Sequence, residues 1–321
     1  MVLFLCSERK SMAEKILMIG SNGQIGTVLS KELRKKYGGD NVICSDIREP
    51  IKSADPFLII DVLDKAKLQS IIHDHSITQI YHLAALLSAK GEQNPELTWK
   101  INMQGLLNVL DLSVQENVKK VFFPSSIAIY GPTTPKINTP QYASFQPTTI
   151  YGISKIAGEM WCEYYYKRYK LDVRSIRYPG VIGWQSLPEG GTTDYAVEIF
   201  HAALKSGHYD CFLAEHTALP MIYMDDAIRA TLELMEANAE SITVRTSYNL
   251  VGMSFTPGEI YSVIKNKIPN FTIQYKPDFR QKIAESWTES IDDSYARKDW
   301  GWKPNYDLDK MCEDMIAHLK Q

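Results

Sequence analysis

Short apolar runs alternate with segments of helical periodicity along the first 180 residues of this chain. The runs are rich in Ile, Leu, Val and Phe, which is typical of strands buried on both faces of a parallel sheet. Between them, apolar residues recur at intervals of three and four, as on one face of a helix. The alternation predicts an α/β fold with a doubly wound, Rossmann-type parallel sheet, its strands in the order 3-2-1-4-5-6. The six predicted strands lie at residues 15–19, 41–45, 57–60, 79–85, 121–126 and 173–178.

Composition excludes several classes of function. The chain has 35 Lys and Arg against 38 Asp and Glu, a net charge of −3, which gives no electrostatic case for binding nucleic acid or anionic membranes. Its five cysteines are scattered and odd in number, which indicates a reducing compartment. No apolar stretch approaches the length of a membrane span, and the His and Cys spacings predict no metal site. Residues 1–12 fit a targeting remnant or a disordered tail equally well.

A glycine-rich loop follows the first predicted strand and opens a helix. Gly20 permits a tight turn, Gly23 lets the backbone approach a pyrophosphate, and Gly26 lets the helix pack on the strand. This strand–loop–helix context predicts a dinucleotide site. Asp46, twenty residues past Gly26, would accept hydrogen bonds from the adenosine ribose and repel a 2′-phosphate, which favours NAD over NADP. Arg48 keeps NADP open, because a nearby Arg can accommodate that phosphate.

The stretch from Val121 to Arg168 contains the candidate catalytic residues. Ser126 ends the fifth predicted strand, and the following helix carries Tyr151 and Lys155 one turn apart on the same face. A nearby ammonium favours the phenolate, so the tyrosine could act as a general base near neutral pH. The serine hydroxyl could hold the substrate oxygen meanwhile. Tyr-x-x-x-Lys alone also fits an ordinary surface helix, and the serine and the glycine loop favour catalysis over that interpretation.

These three features together resemble the extended short-chain dehydrogenase/reductase superfamily, which also contains nucleotide-sugar epimerases. The resemblance implies that Ser126, Tyr151 and Lys155 are catalytic and that NAD is the cofactor. It implies that Asn102 is a buried residue that holds the active-site backbone, the alternative being a solvated helix residue. The implied cofactor contacts are Gly20, Asn22, Gly23, Gln24, Ile25, Gly26, Asp46, Arg48, Asp61, Val62, Leu83, Ala84, Ala85, Asn102, Tyr151, Lys155, Tyr178 and Pro179.

The same resemblance divides the chain, because residues 222–230 are similar to a stretch where such chains return to the cofactor domain. We therefore expect an NAD-binding domain and a smaller α/β substrate-binding cap. A long helix from Pro95 and the helix carrying Tyr151 have too many large apolar residues for one sheet to cover, which predicts a homodimer through a helix pair. The expected ranges are 13–180 and 219–250 for the NAD domain, 181–218 and 251–321 for the cap, and 1–12 for an N-terminal extension.

Residues 87–92, 190–197 and 286–287 narrow the resemblance to the L-threonine 3-dehydrogenases of the short-chain type. This implies oxidation of L-threonine at C3 by NAD to L-2-amino-3-oxobutanoate, on the way to glycine and acetyl-CoA. In eukaryotes the family works in the mitochondrion; otherwise we expect a cytoplasmic protein. The implied substrate contacts are Ser88, Ser126, Tyr151, Gly180, Thr192, Thr193 and Trp287.

Several alternatives stay open at the level of sequence. Thr193 or Asp194 could simply cap the helix that follows, or that helix end could receive a carboxylate. A nucleotide-sugar epimerase or dehydratase would need an Arg on the diphosphate, and the usual positions hold Leu219 and Pro220. Further candidates for that arginine are Arg245 and Arg280. A non-catalytic NAD-sensing protein is the third possibility, although such proteins usually lose the Tyr-Lys pair.

Overall fold

The computed structural model describes residues 14–50, 56–188 and 191–320. The expected N-terminal extension and Gly190 therefore lie outside the described residues. In these ranges the strands form sheets of seven, three and two members. The strands are β1 (Ile16–Ile19), β2 (Val42–Asp46), β3 (Phe57–Ile59), β4 (Gln79–His82), β5 (Lys120–Ser126), β6 (Asp172–Tyr178), β7 (Gly180–Ile182), β8 (His208–Cys211), β9 (Leu219–Tyr223), β10 (Tyr248–Asn249), β11 (Met253–Phe255) and β12 (Thr272–Tyr275).

The helices flank these sheets and connect successive parallel strands. They are α1 (Gln24–Tyr37), α2 (Lys65–Asp74), α3 (Ser88–Gln93), α4 (Pro95–Trp99), α5 (Gly105–Gln115), α6 (Ile150–Tyr169), α7 (Tyr195–Lys205), α8 (Met224–Glu236), α9 (Pro257–Lys267), α10 (Phe279–Ser286), α11 (Ser294–Trp300) and α12 (Leu308–Leu319). Of the helices in the described ranges, none is long and apolar enough to cross a membrane.

The central sheet confirms the predicted doubly wound topology. Its order is β3-β2-β1-β4-β5-β6-β10, and every neighbouring pair is parallel. The six predicted strands are all present, in the predicted order 3-2-1-4-5-6. The seventh strand, β10, is only two residues long, so its sequence carries no strand periodicity of its own.

Helices cover the central sheet on both faces, because its strands are apolar on both. Within β1, Ile16 and Met18 pack into one buried cluster with α8 residues. Leu17 and Ile19 pack into another cluster on the opposite face, with residues of α2 and α5. A two-sided core of this kind leaves the carboxyl edge of the sheet as the place where polar side chains collect.

The chain between Pro95 and Gln115 is helical throughout, but it is not one regular α-helix. Residues Lys100–Gln104 between α4 and α5 form a π-helical turn. Asn102 lies in this turn and is buried, so the solvated alternative for this residue is wrong. Single π-turns recur at functional sites, where they redirect one side chain.

A third cluster of buried residues fills the smaller unit around α7, α9 and α12, and includes Phe200 and Trp287. There β7, β9 and β11 form the three-stranded sheet, and β8 pairs with β12. The expected residue ranges of the NAD domain and the cap stay a prediction.

Candidate active site

The glycine loop between β1 and α1 fits a dinucleotide. Gly20 has a φ of +86°, and a Cβ there would lie 2.6 Å from the Ala84 nitrogen. A Cβ on Gly26 would lie 2.5 Å from the Gly20 oxygen, so close packing of α1 on β1 requires glycine. By contrast, a Cβ on Gly23 would meet no protein atom closer than 3.6 Å. The packing of the protein therefore does not require a glycine at position 23. The space that a side chain would fill there would instead let a pyrophosphate approach the backbone closely.

Asp46 ends β2 beside this loop with its carboxylate in a fixed orientation. One oxygen accepts from the Asn22 amide at 3.1 Å and the other from the Ile47 amide at 2.8 Å. Each oxygen keeps acceptor capacity for a ribose hydroxyl. The Arg48 side chain is exposed nearby, and its backbone carbonyl accepts from the Asn22 side chain. On the other side of the loop, Gln24 donates to the Val181 carbonyl at 3.3 Å.

The remaining predicted cofactor contacts in the amino-terminal half line the same edge of the sheet. Asp61 is exposed, whereas the Val62 side chain is buried against Gly105, so Val62 offers chiefly its backbone. Ile25 at the start of α1 is partly exposed. The run Leu83-Ala84-Ala85 leaves β4 partly exposed and passes against Gly20.

Ser126, Tyr151 and Lys155 meet where α6 approaches the end of β5. Thr149 caps α6 by accepting from the Gly152 amide at 3.1 Å. A Cβ on Gly152 would lie only 2.1 Å from the Ala128 oxygen, so this glycine lets the first turn of α6 touch the chain just after Ser126. The close approach brings the Tyr151 phenol near the Ser126 side chain.

The electrostatics of this group reflect its burial. Burial raises the pKa of Tyr151 to about 12, and the nearby Ser126 side chain opposes that rise. Burial lowers the pKa of Lys155 to about 8, while Cys162 and Glu159 raise it. The Lys155 ammonium donates to the Pro124 carbonyl at 2.7 Å and lies 5.4 Å from the centroid of the Tyr151 ring. The lysine is thus still largely cationic at neutral pH, and the tyrosine is a phenol in the cofactor-free protein.

Asn102 holds the backbone on both sides of this group. Its side chain accepts from the Leu86 amide at 2.8 Å and donates to the Leu86 carbonyl at 3.1 Å. It also donates to the Ser154 hydroxyl at 3.0 Å, and Ser154 donates to the Tyr151 carbonyl at 2.7 Å. The donors of the Asn102 amide are therefore used within the protein. Ser154 was not among the residues predicted from the sequence, although its place next to the predicted catalytic lysine was a visible signal.

Tyr178, Pro179 and Gly180 join β6 to β7 at the same edge. The Tyr178 hydroxyl pairs with Thr231 in the core, so its side chain points away from the cleft and its backbone remains for a cofactor. A Cβ on Gly180 would lie 2.8 Å from the Thr193 side chain. Gly180 therefore lets Thr193 pack directly on this junction.

The other predicted substrate residues are buried around the start of α7 and α3. Ser88 begins α3 and is buried, as is Trp287 just after α10. Thr192 is 2% exposed, and its hydroxyl has no hydrogen-bond partner among the described residues. Asp194 accepts from the Gly191 amide at 2.7 Å, and its side chain makes no capping hydrogen bond to α7. The capping alternative is thus wrong for Asp194 and stays open for Thr193.

Neither arginine that could have replaced a diphosphate-binding Arg has a free guanidinium. Arg245 pairs with Asp172 at 2.7 Å and stacks on Tyr166. Arg280 pairs with Asp278 at 2.7 Å. In the part of the chain that the structure describes, no cluster of three His, Cys, Asp or Glu side chains could hold a metal ion.

Known proteins resemble this chain over nearly its full length. Residues 16–250 match the NAD dependent epimerase/dehydratase family. The mitochondrial L-threonine 3-dehydrogenase of Bos taurus is 48% identical over 307 residues, 94% of this chain and 82% of the bovine protein. The solved structure of a GalE-like L-threonine dehydrogenase from Cupriavidus necator, in its holo form, is 53% identical. It matches with a TM-score of 0.94 over 95% of this chain and 99% of its own.

A monomeric L-threonine 3-dehydrogenase from a metagenome is 49% identical, with a TM-score of 0.92 over 95% of this chain and 98% of its own. Family membership makes NAD the cofactor, as the sequence predicted. The residue-by-residue assignment of cofactor and substrate contacts stays a prediction. The chain belongs to the NAD-dependent epimerase/dehydratase family and, within it, to the group that contains the short-chain L-threonine 3-dehydrogenases.

Proposed function

We propose that this chain oxidises the C3 hydroxyl of L-threonine to the ketone of L-2-amino-3-oxobutanoate, with NAD as the oxidant. One observation carries the proposal. The Ser126 hydroxyl lies near the Tyr151 phenol and beside a buried lysine, in a chain 48% identical to a protein named L-threonine 3-dehydrogenase. An alcohol bound at this pair would have both an oxygen-holding hydroxyl and a proton acceptor within reach.

Each residue has a distinct role in this reaction. Tyr151 takes the proton from the substrate hydroxyl, and Ser126 donates a hydrogen bond to the same oxygen. Lys155 lowers the cost of the phenolate through its charge and holds the nicotinamide ribose. NAD, when bound, would supply the hydride acceptor for C3 and the positive charge of its nicotinamide ring. The positive charges of Lys155 and of the nicotinamide ring would both favour the phenolate. They would therefore counteract the rise in the pKa of Tyr151 that burial causes in the cofactor-free protein.

The substrate carboxylate is proposed to bind where α7 begins. The Asp194 side chain does not cap α7, and the buried Thr192 hydroxyl, which has no partner among the described residues, lies just before this helix. The Ala196 and Val197 amides of the first turn donate to the Thr193 and Asp194 carbonyls, so the Thr192 hydroxyl is the main donor proposed for the carboxylate. Helix amino ends favour anions. Ser88 and Thr193 would complete the polar contacts, while Gly180 leaves room for Thr193 and Trp287 excludes water.

The test is NADH formation by the purified chain with NAD and a panel of hydroxy amino acids, sugars and nucleotide sugars. We expect activity with L-threonine, and turnover of only a sugar or nucleotide sugar would contradict the proposal. Tyr151→Phe should lower kcat about a thousandfold or more while NAD affinity changes little. Tyr164→Phe on the same helix is the matched control and should keep full activity. Retention of more than about a tenth of the activity by Tyr151→Phe would remove the tyrosine from the role of base.

We also propose a homodimer through α6 and the neighbouring α4. Large apolar side chains are exposed along this face, including Trp99, Met160, Trp161 and Tyr164. Patches of this kind are seldom left in water. Because a monomeric relative with the same fold exists, sedimentation at micromolar concentration is the deciding measurement. A single species of monomer mass would contradict the dimer.

The cellular role proposed for the chain is threonine catabolism towards glycine and acetyl-CoA. The bovine relative is named as mitochondrial, and we propose the mitochondrion for this chain as well. Imaging of a carboxyl-terminal fluorescent fusion tests the compartment, and a purely cytoplasmic signal would contradict it.

A further inference from the structure

A buried ion pair lies one helical turn beyond the catalytic lysine. Glu159 follows Lys155 by four residues on α6 and is 0% exposed, and Arg177 on β6 is 1% exposed. Two guanidinium nitrogens donate to the carboxylate, Nε at 3.0 and 3.3 Å and Nη2 at 2.8 Å. Residues four apart on a helix share a face. The Lys155 ammonium and the Glu159 carboxylate are also held by adjacent residues of β5, Pro124 and Ser125.

Further hydrogen bonds fix this pair in place. The Ser125 hydroxyl donates to Glu159 at 2.6 Å. Arg177 also donates to the Gln141 carbonyl at 2.7 Å and to the Asn249 side chain at 2.8 Å. Ser125 precedes the predicted catalytic Ser126, and Arg177 precedes Tyr178 at the cofactor edge. The pair is thus attached to three strands of the sheet and to the catalytic helix at once.

We propose that Glu159, held by Arg177 and Ser125, is a positioning residue that keeps Lys155 protonated and so sets the upper pH limit of the oxidation. The inference rests on the role proposed above for Lys155 and extends it to a charge outside the cleft. A lysine that loses its proton would lose its effect on the phenol and one of its donors to the ribose.

The groups around Lys155 leave this task to Glu159. The ammonium contacts the Pro124 carbonyl and the Phe123 ring, which is 4.7 Å away, and the Tyr151 phenol is neutral in the cofactor-free protein. Burial raises the pKa of the Cys162 thiol, so this group stays protonated. Burial lowers the pKa of His82 to about 3, so the imidazole stays neutral. Glu159 therefore contributes the negative charge that opposes desolvation of the lysine.

The pKa of Lys155 is close to the working range of an enzyme. Burial lowers it to about 8, so a modest further drop would deprotonate the lysine at neutral pH. An opposite charge nearby shifts a pKa by about one unit or more. The pKa shift that the Glu159 carboxylate causes is thus large enough to decide whether Lys155 is charged during turnover.

The experiment compares Glu159→Gln with the double variant Glu159→Gln/Arg177→Met. In cofactor-free protein, the 13Cε resonance of Lys155 is titrated by NMR after 13C-lysine labelling, with its assignment taken from Lys155→Arg. We expect Glu159→Gln to lower the pKa of Lys155 by more than about one unit, because it also leaves Arg177 unpaired. The double variant should lower it less, since both charges are gone, but still below the wild-type value. The alkaline limb of kcat/KM for L-threonine should move in the same order.

Arg174→Gln is the matched control. Arg174 is a buried arginine on the same strand as Arg177, but it pairs with Asp172 at the opposite end of β6. We expect this variant to lower the Tm without moving the pKa of Lys155, which separates loss of stability from loss of charge. If Glu159→Gln does not fold, the double variant decides the question, because it leaves no buried charge unpaired.

A pKa of Lys155 within about 0.3 units of wild type in the folded variants overturns the inference, whichever alcohol the enzyme oxidises. A shifted titration in a protein that makes no NADH with L-threonine overturns the proposed function and leaves the electrostatic role of Glu159 standing.

Discussion

The carboxamide of Asn102 and the hydroxyl of Ser154 are hydrogen-bonded at 3.0 Å, and this bond joins two parts of the site that are far apart in sequence. On one side, Asn102 holds the backbone of Leu86, two residues before Ser88. On the other, Ser154 holds the carbonyl of Tyr151. The position of the predicted substrate loop and the orientation of the predicted base are therefore coupled through one buried amide.

Ser154→Ala should uncouple them. We expect kcat to fall about tenfold, because a small displacement of a catalytic group has a large effect on rate, while NAD affinity changes little. The matched control is Ser113→Ala on α5. Ser113 is equally buried, and its hydroxyl has no partner within the described ranges, so its removal should affect neither kcat nor stability by much. Equal effects of the two variants in steady-state kinetics would show that the bond to Asn102 has no role in orientation.

Asp46 should set the choice between NAD and NADP. Asp46→Ala removes the ribose acceptor and the negative charge, so we expect NAD affinity to fall by roughly tenfold or more and the gap to NADP to narrow. Asp46→Asn removes the charge and keeps one acceptor oxygen, which can serve the Asn22 amide but not the Ile47 amide as well. Calorimetric binding of both dinucleotides is the measurement. If both variants keep the wild-type preference for NAD over NADP, Asp46 does not determine it and Arg48 becomes the candidate.

The topology of the central sheet was predictable because each of its first six strands has its own apolar run. In β1, consecutive residues pack on opposite faces, so the run itself reports a buried parallel strand. The short strand β10 has only two residues, and its place beside β6 depends on tertiary packing. The same limit applies to the π-turn at Asn102, because helical periodicity does not distinguish a single wide turn from an α-helix.

The site was predictable where a motif is local and hidden where contacts are distant. Tyr151 and Lys155 are four residues apart, and their shared helix face follows from the spacing. Glu159 and Arg177 lie on different elements, 18 residues apart, and each looks like an ordinary surface charge in the sequence. Whether Thr192 or Thr193 contacts the substrate also depended on orientation, which the spacing of two adjacent residues does not give.

Thr192 and Thr193 are a matched pair for testing how the carboxylate is bound. The Thr192 hydroxyl is buried with no partner in the described structure, whereas Thr193 packs on Gly180. We expect Thr192→Val to raise KM for L-threonine by roughly tenfold or more, the loss of one hydrogen bond to a charged group, with NAD affinity constant. Thr193→Val should raise it less. If KM stays within about twofold in both variants, the carboxylate is not bound at the start of α7.

The buried Lys155 ammonium should lower the free energy of unfolding of the protein, and Lys155→Met tests this. The amine is buried with a folded-state pKa of about 8 against an ordinary 10.5, which corresponds to a penalty of about 3 kcal/mol for the charged form. Methionine removes that penalty but leaves the Pro124 carbonyl without its donor, which offsets about 1 kcal/mol. We therefore expect a variant without activity whose Tm at pH 7 is raised by about 3 °C or more.

The pH dependence gives the sign of the effect. Between the folded and unfolded pKa values the unfolded lysine binds more protons, so the wild-type protein gains stability as pH rises from about 8 to 10.5. The advantage of Lys155→Met should accordingly be complete below pH 8 and should shrink to nearly nothing by about pH 9.5. Thermal unfolding of the wild type and of Lys155→Met, at pH 7 and at about pH 9.5, measures this difference in stability. A variant less stable than wild type at pH 7 would mean that the contacts of the ammonium with Pro124 and the Phe123 ring outweigh its desolvation.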